Sequence, residues 1–318
     1  MLRRGIQWAA IVGQEGNGDH AEMLSRQRFA GKMPAFQGSG NPLITLPMKS
    51  RHTIELGTEV RLEDHNPDDT GDFDDGDDAP RKARARLEDL TDELQKLQGL
   101  LWADNRFALL IVLQGTDACG KDGTIRRVLS GLSPLGVHVT AFKAPNEEER
   151  EHDYLWRVHK VTPRRGEIAI FNRSHYEDVL VPRVHKLVPK TVWKARYDQI
   201  NDFERMLTEN GTVIVKFFLH ISKAEQKERF EERLNNPKKY WKFNIGDIDE
   251  RKRWDDYMRA YEALLTKCNS RWARWTIVPS DKKWYRDLVV GETIVETLKG
   301  LKMKWPPPAI DHSKVVID

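Results

Sequence analysis

The chain has 318 residues, 39% of them hydrophobic, and carries 52 Lys and Arg against 49 Asp and Glu. That length suits one large α/β domain with extras, and no apolar run approaches the roughly 20 residues a membrane helix needs. Two cysteines and no zinc-like cluster argue against a disulfide framework or a structural metal, which makes a reducing cytoplasm the expected compartment.

The near-neutral total conceals an asymmetry. The N-terminal "MLRRGIQWAAIVGQEGNGD" has two arginines and an apolar patch too short and interrupted for a signal peptide. From Glu63 to Asp78, nine of sixteen residues are acidic and none is Lys or Arg. Without that run, 40 acidic residues face 52 basic ones, so the rest of the chain is near +12. Such a surface is either mildly basic and merely solvated, or made for a polyanion: nucleic acid, nucleotide or inorganic polyphosphate. Residues 1–80 show little periodicity and are expected to be a disordered or loosely held extension. The acidic run reads as a solvated tail, with cover of the basic site from within as the alternative. Met48 stands where translation could also begin.

Helical signals begin at "PRKARARLEDLTDELQKLQGLLW". Leu87, Leu90, Leu94, Leu97 and Leu101 recur at spacings of three and four, an apolar stripe for core or subunit packing. Five short runs rich in β-formers follow: Phe107–Leu113, Val137–Phe142, Glu167–Phe171, Thr212–Ile221 and Arg274–Val278. They alternate with helical patterns, which predicts parallel βαβ units with a sheet buried on both faces. Asn210-Gly211 is a helix stop before the fourth strand. Ser222 and Glu225 in "SKAE" form a capping-box signature. The last helix, in "PSDKKWYRDLVVGETIVETLKGL", is expected to be capped by Ser280, and residues 302–318 form a tail.

Between the first strand and the next helix lies Gly115-Thr116-Asp117-Ala118-Cys119-Gly120-Lys121, which satisfies G-x-x-x-x-G-K in the context that makes the pattern credible. Its glycines let backbone N–H groups converge on phosphate oxygens, the helix contributes its positive end, and Lys121 supplies a mobile charge. Gly115, Thr116, Ala118, Gly120, Asp122, Gly123 and Thr124 are the candidate phosphate-binding residues here. The Ser/Thr usual after the lysine is replaced by Asp122. A carboxylate at Asp117 is tolerable among phosphates if a divalent cation lies between them, so Asp117 is a candidate to hold Mg²⁺, or to orient the acceptor phosphate, in place of the missing hydroxyl.

Past the third strand, "FNRSHYEDVLVPRVH" brings Asn172, Arg173, Glu177 and Asp178 to the strand's C-terminal end, where parallel sheets bind ligands. Arg173 is suited to clamp a phosphate, and Asp178 is the second candidate metal carboxylate. His152, His159, His175 and His185 match no metal-ligand spacing and read as structural or surface groups. Residues 228–254 form a basic segment broken at Asn/Pro, a candidate lid. Arg229 and Arg233 lie four apart on one helix face and Lys238, Lys239 and Lys242 follow; Arg229, Arg233, Lys238 and Lys242 are its candidate phosphate contacts.

Taken together, "LQGTDACGKDGTIRRVLSGL", "FKAP", "DYLWRVHKVTPRRGEIAIFNRSHYEDVLVPRVH" and "PSDKKWYRDL" resemble the polyphosphate kinase 2 family, over roughly Leu87 to Leu301. The resemblance implies an α/β P-loop kinase fold similar to thymidylate kinase, a five-stranded parallel sheet flanked by helices with a helical lid, over residues 81–301. It implies Mg²⁺-dependent phosphoryl transfer between inorganic polyphosphate and adenine nucleotides, without nucleic acid or membrane, in a homo-dimer or homo-tetramer. Asp117 and Lys121 match the family's catalytic loop, Arg173 its phosphate-binding arginine, and Arg229 and Arg233 fall among its lid residues. "FNRSHYED" departs from the branch reading "FDRSWYNR" and looks more like the branch that phosphorylates AMP as well as ADP. Asn172 stands where that other branch has aspartate, which leaves Glu177 and Asp178, both candidate catalytic residues, as the nearby candidates for the metal carboxylate. Two rival readings are an ATP-dependent nucleoside monophosphate kinase and a non-catalytic polyanion-binding protein; no N-K-x-D motif supports a GTPase.

Overall fold

The computed structural model describes residues 50–73, 76–311, 313, 315 and 317. Its strands are β1 (Ala108–Gln114), β2 (Val137–Ala141), β3 (Ile168–Asn172), β4 (Thr212–His220) and β5 (Trp275–Pro279). They pair in parallel in the order β2-β3-β1-β4-β5. Each lies within one residue of the apolar run that predicted it. The helices are α1 (Ala79–Asp104), α2 (Lys121–Val128), α3 (Glu147–Glu151), α4 (Trp156–His159), α5 (Glu177–Val184), α6 (Lys190–Glu209), α7 (Lys223–Asn235), α8 (Gly246–Lys252), α9 (Trp254–Lys267) and α10 (Lys283–Gly300).

Every residue of β1 is buried, because helices cover both faces of the sheet. Successive side chains point to opposite faces. Leu110 and Val112 join a core with Val179, Ile200 and Leu264 of α5, α6 and α9. Leu109, Ile111 and Leu113 join another with Leu94 and Leu101 of α1 and Val290 and Ile294 of α10. The leucine stripe of α1 is therefore core. Gly291 lets α10 approach it; a Cβ there would lie 3.1 Å from Leu87 Cδ1. Two caps differ from expectation. Ser222 accepts from Glu225 N–H as predicted, but Glu225 turns to Arg229, so the box is half formed. Ser280 donates to the Val278 carbonyl instead of capping α10.

The extension expected over residues 1–80 is corrected for its described part. Ile54, Val60 and Leu62 are buried in the core. Ile54 N–H donates to Trp275 O and Ile277 N–H to His52 O, both at 2.9 Å. This short antiparallel stretch covers the edge of β5 that would otherwise expose unpaired backbone groups. Farther along, Val60 N–H donates to Thr266 and Leu62 N–H to Glu262. Asp69 pairs with Arg51 and Asp68 with Lys282, so this part of the acidic run docks rather than floats. The arm lacks periodicity because it is anchored by single residues, which is why its composition resembled a tail. The expectation for residues 1–49 lies outside the described residues.

Two outcomes test the arm. Leu62→Ala removes a buried side chain and is expected to cost about 2–5 kcal/mol in urea unfolding, with the midpoint lowered; an unchanged midpoint would show that the arm is not part of the cooperative unit. Burial lowers the His52 and His220 rings from 6.5 to about 4. The unfolded chain then takes up protons first, so stability is full above about 6.5 and is lost as pH falls toward 4. The urea midpoint should drop between pH 7 and pH 5, by less in His220→Gln than in the parent chain; equal drops would refute the assignment.

Candidate active site

β1 ends at Gln114 and the chain turns into α2 through a loop whose shape is forced by close contacts. Gly115, Ala118 and Gly120 have φ of 148°, 64° and 111°. A Cβ at Gly115 would lie 2.7 Å from Leu219 O, and one at Gly120 only 1.9 Å from Arg286 Nη1. Both positions therefore require glycine on conformation and space together. Ala118 has no such freedom, so the loop stores strain of the kind that concentrates at functional sites. α2 starts at Lys121, with its positive end at the loop.

Two arginines hold the loop from behind. Arg286 Nη1 donates to Cys119 O at 3.2 Å, and its other nitrogens donate to Asp287. Arg229 spends all five of its N–H groups: on Glu225, on the Ala118 and Cys119 carbonyls, and on Ser280 and Asp281 O, at 2.6–3.0 Å. The assignment of Arg229 as a phosphate contact is thus corrected: it is buried and fully occupied, a brace for the loop's carbonyls. Thr124 is corrected similarly, because its hydroxyl donates to buried Asp287 at 3.1 Å, away from the loop's mouth. Lys121 lies inside the loop, its ammonium on Gly115 O at 2.8 Å and Thr116 O at 3.1 Å. The Thr116 hydroxyl is buried with no hydrogen-bond partner among the described residues, a group that a phosphate oxygen would satisfy.

Arg173 is the hub across from the loop. It follows β3 with φ 64°, its N–H on Leu113 O. Its guanidinium donates to Asp117 at 2.5 Å and lies 3.6 Å from Glu177. Burial opposes its charge, but Glu177 and Asp117 outweigh that and hold it firmly protonated. Oriented with its amide oxygen toward Ser174, Gln114 donates to Glu177 at 3.1 Å. Asp178 lies 3.5 Å from Arg196 and 3.9 Å from Arg157; burial pushes its carboxyl up and the two guanidiniums oppose this. Asn172 donates to Asp122 at 2.6 Å, so these two satisfy each other beside the loop. Gly123 packs at the start of α2, where a Cβ would lie 3.3 Å from Arg127.

A cavity of about 730 Å³ opens between these elements. Gly115, Thr116, Asp117, Arg173, Glu177 and Asp178 line it, so the structure brings together the core of the predicted site. The lid's candidate phosphate contacts Arg233, Lys238 and Lys242 do not join them. Arg233 pairs with Asp247 at 3.4 Å, Lys238 is exposed, and Lys242 lies over the Trp241 ring. The cavity's further cations are instead Lys143, Arg157 and Arg251, which sequence reasoning missed. Asp247 was missed as well; burial and Asp117 raise its carboxyl. So was Gln226, which ties α7 to the loop by donating to Asp117 O and accepting from Arg251. Lys143 and Arg157 stand in quoted blocks of the sequence, but in a chain this basic no spacing rule selects them. Among the described residues, no group of three or more His, Cys, Asp or Glu is placed to hold a metal, and no helix is long and apolar enough to cross a membrane.

Behind Arg173, Lys216 of β4 is wholly buried. It donates to Tyr176 OH, Glu204 and Cys268 O, each at 2.7 Å. His175 also reaches Glu204, at 3.3 Å. Burial pushes the Glu204 carboxyl up, but Lys216 and His175 prevail and hold it below the usual range. His175 is therefore structural, as its spacing indicated.

A phosphate loop facing guanidinium groups across a closed-in cavity, at the C-terminal edge of this parallel sheet, belongs to a phosphoryl-transfer enzyme of the P-loop kinase fold. Comparison with known proteins narrows the class. A family model described as Polyphosphate kinase 2 matches residues 78–306, and the chain belongs to that family. It is 49% identical over 268 residues, 84% of this chain and 99% of the relative, to a protein of Meiothermus ruber named AMP/ADP-polyphosphate phosphotransferase. It is 47% identical over 235 residues to an ADP-polyphosphate phosphotransferase of Rhodopseudomonas palustris, covering 70% and 80% of the two chains. The crystal structure of polyphosphate kinase 2 from Arthrobacter aurescens TC1 superposes with a TM-score of 0.78 at 40% identity, covering 81% of this chain and 92% of that one.

The brace is testable. Arg229→Lys leaves at most three donors for five acceptors, and each orphaned buried carbonyl costs about 1–3 kcal/mol. Melting temperature and turnover should fall together. Normal melting with impaired binding of polyphosphate would return Arg229 to direct phosphate contact.

Proposed function

We propose that the protein transfers a phosphoryl group between inorganic polyphosphate and an adenine nucleotide, AMP or ADP, in either direction and with Mg²⁺. The observation that carries this reading is the cavity itself, in which the Gly115–Asp117 loop faces Lys143, Arg157, Arg173 and Arg251. These cations stand among the carboxylates of Asp117, Glu177, Asp178, Asp247 and Glu250, a mixed lining that supports holding phosphate groups together with a divalent cation rather than a bare anion. The names of the Meiothermus and Rhodopseudomonas relatives support the substrate class, and the "FNRSHYED" form supports AMP beside ADP.

A nucleotide phosphate is already an anion, so its attack needs no strong general base. Positioning and charge neutralisation carry the rate. Arg173 shares the charge of the transferring group, and Glu177 and Asp117 keep that guanidinium aimed into the cavity. Lys121 leaves the carbonyls of Gly115 and Thr116 for a phosphate oxygen, a stronger acceptor. Phe142, Ala144 and Pro145 give the cavity an apolar wall for a base. The donor set fits Mg²⁺, which takes one or two carboxylates and completes its shell with water and substrate phosphates rather than a protein cage. Asp117, which stands in the loop itself, is the residue that would hold it, giving up its contact with Arg173; Asp178 lies between two guanidiniums, Arg157 and Arg196. When bound it would offset the negative charge between donor and acceptor.

Purified protein with Mg²⁺ and long-chain polyphosphate is expected to make ADP and ATP from AMP, and ATP from ADP, as followed by chromatography with an adenylate-kinase control. Product from ADP alone would remove AMP from the substrates. Product only with an ATP donor would overturn the reading. Asp117→Asn should lose at least about a hundredfold in kcat, and retained Mg²⁺-dependent turnover in that variant would take the metal role away from Asp117.

A further inference from the structure

Outside the active-site cavity the described surface holds a second concavity, of about 610 Å³, in which five cations surround a largely apolar floor. Its cations are Arg183, Lys186, Lys190, Lys194 and Lys267, and no acidic residue lines it. The helical period explains the arrangement. Lys190, Trp193, Lys194 and Tyr197 lie at i, i+3, i+4 and i+7 on one face of α6, and Ala263 and Lys267 at i and i+4 on α9. Arg183 stacks over Trp193 at 4.9 Å and donates to Tyr197 OH at 3.2 Å, which fixes the floor. Five cations around one groove without a carboxylate give it a local excess of positive charge that a bound anion would neutralise.

The groove is not isolated from the site. Val181, Pro182, His185 and Leu187 line the active-site cavity, while Arg183, Lys186 and Val188 line the groove. One short segment is therefore the shared wall of the two. The groove's chemistry also indicates which anion suits it. Its free groups are lysines, point charges on flexible stems, and its one arginine is already stacked and hydrogen bonded, so nothing presents a fork for a discrete phosphate. Such an array neutralises a linear polyanion by charge density rather than by fit.

We infer that this groove is a second binding site, for the stretch of a long inorganic polyphosphate chain that extends beyond the active-site cavity. The inference rests on the polyphosphate reading given above. It makes affinity depend on chain length: a long chain engages both sites at once and gains effective concentration, whereas a short one occupies the cavity alone.

The test compares long-chain polyphosphate with tripolyphosphate as donors to ADP, in the parent enzyme and in Lys190→Glu/Lys194→Glu, with Lys96→Glu as an exposed charge control on α1. Direct binding of both polymers is measured alongside at two salt concentrations. KM and Kd for the long chain should rise about tenfold more than those for tripolyphosphate, and the salt dependence of long-chain binding should flatten. Equal changes for long and short donors, or none, would overturn the groove as a chain site. So would a single-stranded oligonucleotide that displaces the long chain more strongly than added polyphosphate does. Failure of the parent enzyme to use any polyphosphate would instead sink the reaction assigned above, while a ratio that does not move in an active enzyme sinks the groove alone.

Discussion

A phosphate loop binds anions only while its carbonyl oxygens are kept turned away from them. Those carbonyls cannot be left bare in a protein interior, so something must accept the cost of holding them. Here two buried guanidiniums do so: Arg229 takes the Ala118 and Cys119 oxygens and Arg286 takes Cys119 O again. The arrangement links distant parts of the chain. Arg229 comes from α7 after β4, Arg286 from α10 after β5, and both meet behind a loop that follows β1. The glycine at 120 is then a consequence of Arg286, whose Nη1 occupies the space a Cβ would need. The site draws on the segments that follow three neighbouring strands because one loop needs its back covered.

A second buried charge performs the corresponding task for the other wall. Lys216 finds three acceptors at 2.7 Å and has no exposed surface, so it is fully satisfied where an unpaired ammonium would be prohibitive. Two of its contacts, Tyr176 and Glu204, fix the turn that carries His175 and Tyr176, and Arg173 stands at the beginning of that turn. The lysine has no route to substrate. Its effect is to make the position of Arg173 a property of the core rather than of a loop.

Much of this was legible in the sequence, and the reasons are specific. β1, β3, β4 and β5 were clear because burial on both faces demands nearly unbroken apolar runs, while the half-exposed edge strand β2 was legible from its β-formers alone, and the loop was clear because its glycines answer to backbone geometry. Arg173 followed from its place after a strand. What sequence could not supply was partner identity. Arg229 and Arg233 look alike four residues apart, yet one ends among loop carbonyls and the other on Asp247. Thr124 resembles a displaced phosphate ligand until Asp287, distant in sequence, claims its hydroxyl. Arg157, Gln226 and Arg251 carry no local pattern at all; their roles exist only once α4, α7 and α8 converge on the cavity. The arm at 50–73 was hidden for the same reason, since docking through Ile54, Val60 and Leu62 leaves no period to detect.

The carboxylate in the loop can now be placed in this scheme. Asp117 does not face a bare phosphate pocket; it faces Arg173, and it does so together with Glu177. A guanidinium flanked by two carboxylates is held in place but is also partly neutralised, so an arriving phosphate gains less from it than from a free arginine. That weakness suits an enzyme which must release a phosphorylated product as readily as it binds a substrate of nearly the same charge, because tight ground-state binding adds nothing to the rate of the step. A divalent cation at Asp117 would shift the balance, drawing the carboxylate toward itself and leaving Arg173 freer for the transferring group. In the proposed reaction the aspartate would thereby make the arginine's strength conditional on a metal-bound substrate, which a neutral serine or threonine at the same place could not do.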